Sequence, residues 1–333
     1  MTTIGTNARL PPRFALARHV MRREIWVAML LLITAIVAGS RNSNFFSWQN
    51  ARDILHDAAP TVIVACPMTL VIVTGEIDIS VGSLLGLMAA AMGILASIDH
   101  LNWGAAPAAA AVLALGTLIG LTNGLLVTVG RVPSIIVTLG MLTALRGLTQ
   151  LIMQGRSIRG IPLSLRWFGQ AAPLGIPLAV WAAMVVTAFC ILLAHRTPLG
   201  RRIYAAGSNP KAAPLAGLSL TRIKLFVFFL NGLLTGVAAI VSVPRSAVIE
   251  NNVGDGFELL VVTCAVVGGT SISGGAGTII GSAIAAVLLT MIGTVLIYLD
   301  VNPHWNQAIQ GAFILAAVLA DHLLRHGGGG GAS

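Results

Sequence analysis

Apolar residues along the chain come in long runs separated by short polar breaks. The runs cover 25–40, 54–74, 80–98, 104–128, 133–153, 176–194, 223–243, 258–272, 278–299 and 305–324. A helix that crosses a bilayer needs about 20 predominantly apolar residues. The pattern therefore predicts an all-α, polytopic membrane protein of about ten spans. The first and eighth runs are short, and the eighth is a candidate half-helix that stops inside the membrane. An even number of spans puts both termini on one side.

The basic residues say which side. They cluster in the N-terminal tail (Arg9, Arg13, Arg18, Arg22, Arg23), at Arg131, between His195 and Lys224, and at Arg325. An excess of Lys and Arg marks cytoplasmic segments, so both termini are expected in the cytoplasm. Residues 1–24 read as a basic cytoplasmic tail, 25–324 as one transmembrane domain, and 325–333, rich in glycine, as a disordered tail. The first apolar run lacks a small-residue cleavage site at its end and reads as a retained span.

Composition narrows the class further. Of 333 residues, 56% are apolar and only 9% charged, against about 25% charged in ordinary soluble domains. The net charge of +9 would suggest nucleic acid in a soluble protein. Here it reports orientation and contact with anionic lipid headgroups, with no nucleic acid implied. The three cysteines, Cys66, Cys190 and Cys264, lie in or beside apolar runs and read as free thiols. The 37 glycines suit close helix packing in lipid. Gly116, Gly120 and Gly124 form a double G-x-x-x-G expected to pack within the chain.

Few residues could carry chemistry. No catalytic set, metal-ligand cluster or cofactor motif emerges. His322 and His326 are four apart but have no cysteine nearby. The block Val266–Gly281, VVGGTSISGGAGTIIG, lacks the spacing of a nucleotide fingerprint, and no G-x-x-x-x-G-K-[ST] occurs. Any ATP-driven step therefore needs another chain.

Polar residues at membrane depth are the better candidates. The stretch Thr74–Leu87, TGEIDISVGSLLGL, sets Glu76 and Asp78 between two apolar runs. It reads either as a solvated turn or as a broken helix beside a transport path. Ile79-Ser80 before Gly82 and Gly86 is weakly echoed by Ile272-Ser273 before Gly277 and Gly281, as two related halves would require. Arg146 lies within the fifth run, either functional or snorkelling to the surface. The outer loop 154–170 carries Arg156, Arg159 and Arg166 without an acid, against the charge rule. With Arg245, the first two are candidates for docking an acidic partner. In the 195–224 loop, Asn209 followed by Pro210 predicts a short helix over 211–218, ended near Gly217.

Three of these blocks carry a resemblance. Thr74–Leu87 contains IDISVGS. The loop from Gly200 matches GRxxYAxGxNPxAAxxAGI, with Leu218 in place of the final Ile. The third block matches GGxSxxGGxGxxxG. Together they resemble permease subunits of bacterial ATP-binding-cassette (ABC) sugar importers of the ribose, xylose, rhamnose and autoinducer-2 class. The likeness runs from about Phe45 to Asp321. The stretch LGMLTALRGLTQLIMQGRSIRGIP is most similar to the rhamnose and autoinducer-2 permeases.

The resemblance implies a non-catalytic translocation subunit in the bacterial inner membrane. Its implied partners are two ABC ATPase subunits, a second permease, identical or homologous, and an external substrate-binding protein. Gly200, Arg201, Gly207, Asn209, Pro210, Ala213 and Gly217 would belong to the loop that couples to the ATPase. Candidates for the path of a small neutral sugar are Asp78, Ser80, Asn123, Thr138, Arg146 and Ser271. The competing reading is an ion-coupled secondary transporter that uses Glu76 and Asp78.

Overall fold

The computed structural model describes residues 12–302 and 304–326. The first eleven residues of the basic tail and the glycines from 327 onward lie outside the described residues. The described chain forms α1 (Pro12–Arg41), α2 (Trp48–Val73), α3 (Val81–Ala96), α4 (Ala105–Thr128), α5 (Ser134–Met153), α6 (Leu163–Gln170), α7 (Leu178–Arg196), α8 (Pro198–Ser208), α9 (Leu220–Ser242), α10 (Phe257–Val267), α11 (Ile279–Tyr298) and α12 (Trp305–His326). It is an all-α, polytopic membrane fold.

Seven of these helices are long and apolar enough to cross a bilayer: α1 from Glu24, then α2, α4, α5, α7, α9 and α11. α3 and α10 are shorter apolar helices, and α12 mixes amides into its first two turns. α10 has 11 residues, which at 1.5 Å per residue covers about half of a 30 Å hydrocarbon core.

α2 is the hub. Every residue from Thr61 to Val73 is buried, because α7, α9, α10 and α11 all pack around it. A helix enclosed by protein on all sides needs no polar face, so this stretch is apolar but for Thr61 and Thr69. The double G-x-x-x-G of α4 packs against α9 within the chain. A Cβ on Gly116 would lie 2.5 Å from the Gly232 carbonyl oxygen, and one on Gly120 would lie 2.5 Å from that of Phe228. Only glycine lets the two backbones come this close, and in lipid that close packing is what holds helices together.

Two local expectations need correction. The helix of the 195–224 loop is α8, not 211–218. Thr197 caps it, accepting from the Gly200 N–H at 3.1 Å, and Pro198 occupies the first turn, where its missing N–H costs nothing. Asn209 still caps the following turn, with its Oδ1 accepting from the Ala212 N–H at 3.0 Å. That turn is short and closes at Gly217, whose φ of +76° is left-handed. The second correction is α6, which falls inside what reads in sequence as a plain outer loop. It starts directly after Pro162.

Candidate functional site

The first break lies between α2 and α3. Asp78 is 1% exposed, and Ser80, Asn123 and Asn231 are fully buried. One carboxylate oxygen of Asp78 accepts from the Ser80 hydroxyl at 2.6 Å and the Ser80 N–H at 3.0 Å. The other accepts from the Asn231 amide of α9 at 3.0 Å. The Asn123 amide of α4 donates to the Ser80 hydroxyl at 2.9 Å. Thr138 and Ser134 of α5 hold the Ile77 backbone: the Thr138 hydroxyl donates to its carbonyl at 3.3 Å, and Ser134 Oγ accepts its N–H at 3.2 Å. A carboxylate taken out of water must be met by donors, and here the break itself and α9 supply them, while α4 braces Ser80 and α5 braces Ile77. Glu76 is engaged as well, forming an ion pair with Lys224 in the first turn of α9. Asn231 was missed in the sequence. The signal was one amide beside Gly232 in an apolar run.

The second feature is a re-entrant segment. After α9 the chain turns back into the membrane. Ile249 pairs with Ile158 near Gly93 of α3, and Gly254 reaches Gly82. Gly82 lies 14 residues before the outer end of α3, about 21 Å deeper. Gly254 has a φ of +82°, and a Cβ there would sit 2.1 Å from the Gly82 carbonyl oxygen. α10 therefore begins deep in the protein and runs to the cytoplasmic side. Arg146 of α5 binds this segment, with one guanidinium nitrogen 2.7 Å from Asp255 and another donating to the Val253 carbonyl at 3.1 Å. It does not snorkel.

The second break, 268–278, joins α10 to α11 and meets the first. The Gly275 N–H donates to the Val73 carbonyl at 2.8 Å, and Gly274 packs on Gly75. Ser271 sits in this turn, its N–H bonded to Ala276 O at 2.9 Å. α8 closes over both breaks. A Cβ on Gly207 would fall 1.7 Å from Val73 O and 2.8 Å from Gly275 N. The Tyr204 hydroxyl donates to Gly277 O at 2.9 Å, and burial pushes this phenol up to about 12, so it stays a neutral donor. The loop residues divide into two sets. Gly200, Gly207 and Ala213 are buried and seat the loop. Arg201, Asn209, Pro210 and Gly217 are exposed, beside Leu215 at 91% exposure.

On the outer face Arg156 and Arg159 are exposed and have no ion-pair partner among the described residues. Arg245 differs: it bonds Asp57 at 2.5 Å and lies 3.5 Å from Asp53, both on α2. Its charge is largely met within the chain.

A packed bundle of apolar helices with two breaks under α8 can now be set against known proteins. A family model described as "Branched-chain amino acid transport system / permease component" matches residues 50–318. The chain belongs to this family. It is 37% identical over 326 residues to the ribose import permease protein of Escherichia coli (strain K12), covering 97% of this chain and 99% of that one. It is 34% identical to the ribose import permease protein of Haemophilus influenzae, covering 93% and 96%. It is 36% identical to the autoinducer 2 import system permease protein of Yersinia pseudotuberculosis, covering 92% and 87%. No solved structure matches the chain.

The protein is thus a permease subunit of an ABC importer, a multi-pass protein of the bacterial inner membrane. Such permeases are generally non-catalytic and work with ATPase and binding-protein partners. The three sequence blocks acquire physical meaning in this permease. The first and third are the two breaks, and the second is the helix that covers them.

Proposed function

We propose that this permease forms the path for a small neutral sugar or sugar-like molecule, of the ribose or autoinducer-2 type. An external binding protein delivers the substrate, and ATP hydrolysis on a separate pair of subunits drives the movement. A second permease, identical or homologous, completes the path. Arg201, Asn209, Pro210 and Gly217 present the coupling surface, while Gly200, Gly207 and Ala213 seat it. Asp78, Ser80, Asn123, Thr138 and Ser271 frame the two breaks that move, and Arg146 positions the re-entrant segment beside the path. Arg156 and Arg159 offer the outer docking charge, together with Arg245, whose charge is shared with Asp57 and Asp53.

The observation that carries this reading is the contact of α8 with both breaks through Gly207, Val73 and Gly275. A push on the exposed face of α8 reaches both membrane interruptions without a flexible intermediary. The ion-coupled reading is less well supported, because Glu76 is paired to Lys224 and Asp78 is enclosed by donors.

The test is affinity purification of the permease from native membranes in mild detergent, alongside a variant with Asn209, Pro210 and Lys211 replaced by Gly, Gly and Ser. Co-purification of a P-loop ATPase that is lost in the variant supports the reading. Absence of any ATPase from both samples, with ribose uptake that needs only an ion gradient, refutes it.

A further inference from the structure

Two cavities adjoin between the re-entrant segment and α12. The deeper, of about 520 Å³, lies between residues 252–260 and the first turns of α12, and is lined by Asn252, Asp255, Phe257, Asn306, Gln307 and Gln310 among others. The outer one, of about 440 Å³, shares Leu85, Phe257, Leu260, Asn306 and Gln310 with it and opens beside Asp57, Ser246 and Glu250. The shared walls set the two cavities side by side as one stepped channel that ends at the start of α10.

The chemistry of the lining is specific. Asn306 and Gln310 are four apart on α12 and so share a face. Each amide offers one acceptor and two donors, the mixture a sugar hydroxyl needs. Phe257 supplies an apolar surface for the C–H face of a ring. The Asp255 carboxylate is balanced by Arg146 at 2.7 Å, so the deeper cavity holds no uncompensated charge on that side. The α10 N-terminus has no side-chain cap, and its partial positive charge faces the same region. Two oxygens in these walls, Asn306 Oδ1 and Thr290 Oγ1, are buried without a hydrogen-bond partner. Buried polar atoms are normally satisfied, which leaves these two for water or a ligand.

We infer that this channel is a sugar-binding subsite of the permease itself, in which Asn306 and Gln310 select for hydroxylated substrates in addition to the external binding protein. The inference rests on the sugar-permease reading above and goes beyond it by naming where the permease holds its cargo. An acyl chain would leave the amides unpaired.

The experiment uses the full complex in proteoliposomes, with saturating loaded binding protein, and compares D-ribose with 2-deoxy-D-ribose as probes. Because the same binding protein serves every permease variant, its own preference cancels. Gln310→Leu and Asn306→Leu should cut the ribose-to-deoxyribose uptake ratio about tenfold, the loss of roughly one buried hydrogen bond. Gln310→Glu, which keeps size and an acceptor, should retain most of it. Gly311→Leu is the second arm. Gly311 lines the deeper cavity, and a Cβ there meets nothing within 4 Å, so the fold accommodates the side chain while uptake of both probes falls. An unchanged ratio in both leucine variants, with normal uptake in Gly311→Leu, overturns the subsite. So does loss of permease–permease association in Gly311→Leu, which would assign this face to the subunit interface. If the wild-type complex carries neither probe, the failure belongs to the sugar-permease reading instead.

Discussion

Gly207→Ala is the sharpest perturbation of the coupling contact. The new Cβ would start 1.7 Å from Val73 O and 2.8 Å from Gly275 N. Both are backbone atoms, so no side chain can swing away. An ordinary contact needs α8 to withdraw by about 1.5 Å. Overpacking of this kind costs about 1–3 kcal/mol. Withdrawal also loosens the 2.9 Å bond from the Tyr204 hydroxyl of α8 to Gly277 O, worth about 1 kcal/mol. The total is about 2–4 kcal/mol, concentrated where α8 touches the two breaks. The expected outcome is a lowered unfolding midpoint in detergent and, in proteoliposomes, ATP hydrolysis that continues while uptake per ATP falls severalfold. Gly175→Ala is the control. Its φ is +79° and a Cβ would meet nothing within 4 Å, so it carries only the left-handed backbone cost of about 1–2 kcal/mol. If Gly207→Ala transports as much per ATP as wild type, the rigid link from α8 to the breaks is wrong.

Other expectations follow from the same geometry. Asp78→Ala removes the acceptor for the Ser80 hydroxyl and N–H and the Asn231 amide; leaving such donors buried should cost about 1–3 kcal/mol each, seen as a strongly lowered unfolding midpoint, and a wild-type midpoint would show that the cluster opens to water. Arg146→Ala should reduce uptake more than Asp255→Asn, because only the former also loses the bond to Val253 O; equal effects would mean that the ion pair alone matters. Lys224→Glu should destabilise the first break by like-charge repulsion with Glu76, and the swap Glu76→Lys with Lys224→Glu should recover most of the loss, measured by the unfolding midpoint of each variant. Arg156→Glu with Arg159→Glu should weaken uptake most at low binding-protein concentration, since rim charges act mainly on association rate. An unchanged concentration dependence would remove these residues from the docking surface.

What the sequence disclosed follows from the kind of signal each feature leaves. The spans were legible because lipid demands about 20 apolar residues whatever the neighbours are. Even the half-helix left a trace, since α10 is the eighth run and its continuous part ends at Val267. The helix inside the 195–224 loop lies one segment earlier than the sequence reading puts it, because Asn209-Pro210 is a good start signal and Thr197-Pro198 is an equally good one. Both are used, the first for a turn and the second for α8.

Long-range pairings leave no comparable trace. Nothing local to Asn231 points to Asp78, 153 positions away, and nothing local to Arg146 points to Asp255. Arg146 sits two turns from its helix end, so sequence favoured the surface as much as a partner. Only the descent of 246–256 along α3 brings an acid to its depth, and that descent depends on glycines facing each other at Gly82, Gly86 and Gly254. Each of these glycines reads in sequence as one more small residue in a glycine-rich chain. Their significance lies in a juxtaposition between segments that are far apart in sequence. The same holds for the amides of α12. Asn306 and Gln310 look like the polar start of a last span until residues 252–260 are set opposite them. The membrane-spanning architecture is thus written in local composition. The packing within it is written in which breaks meet, and glycine-to-backbone contacts decide that.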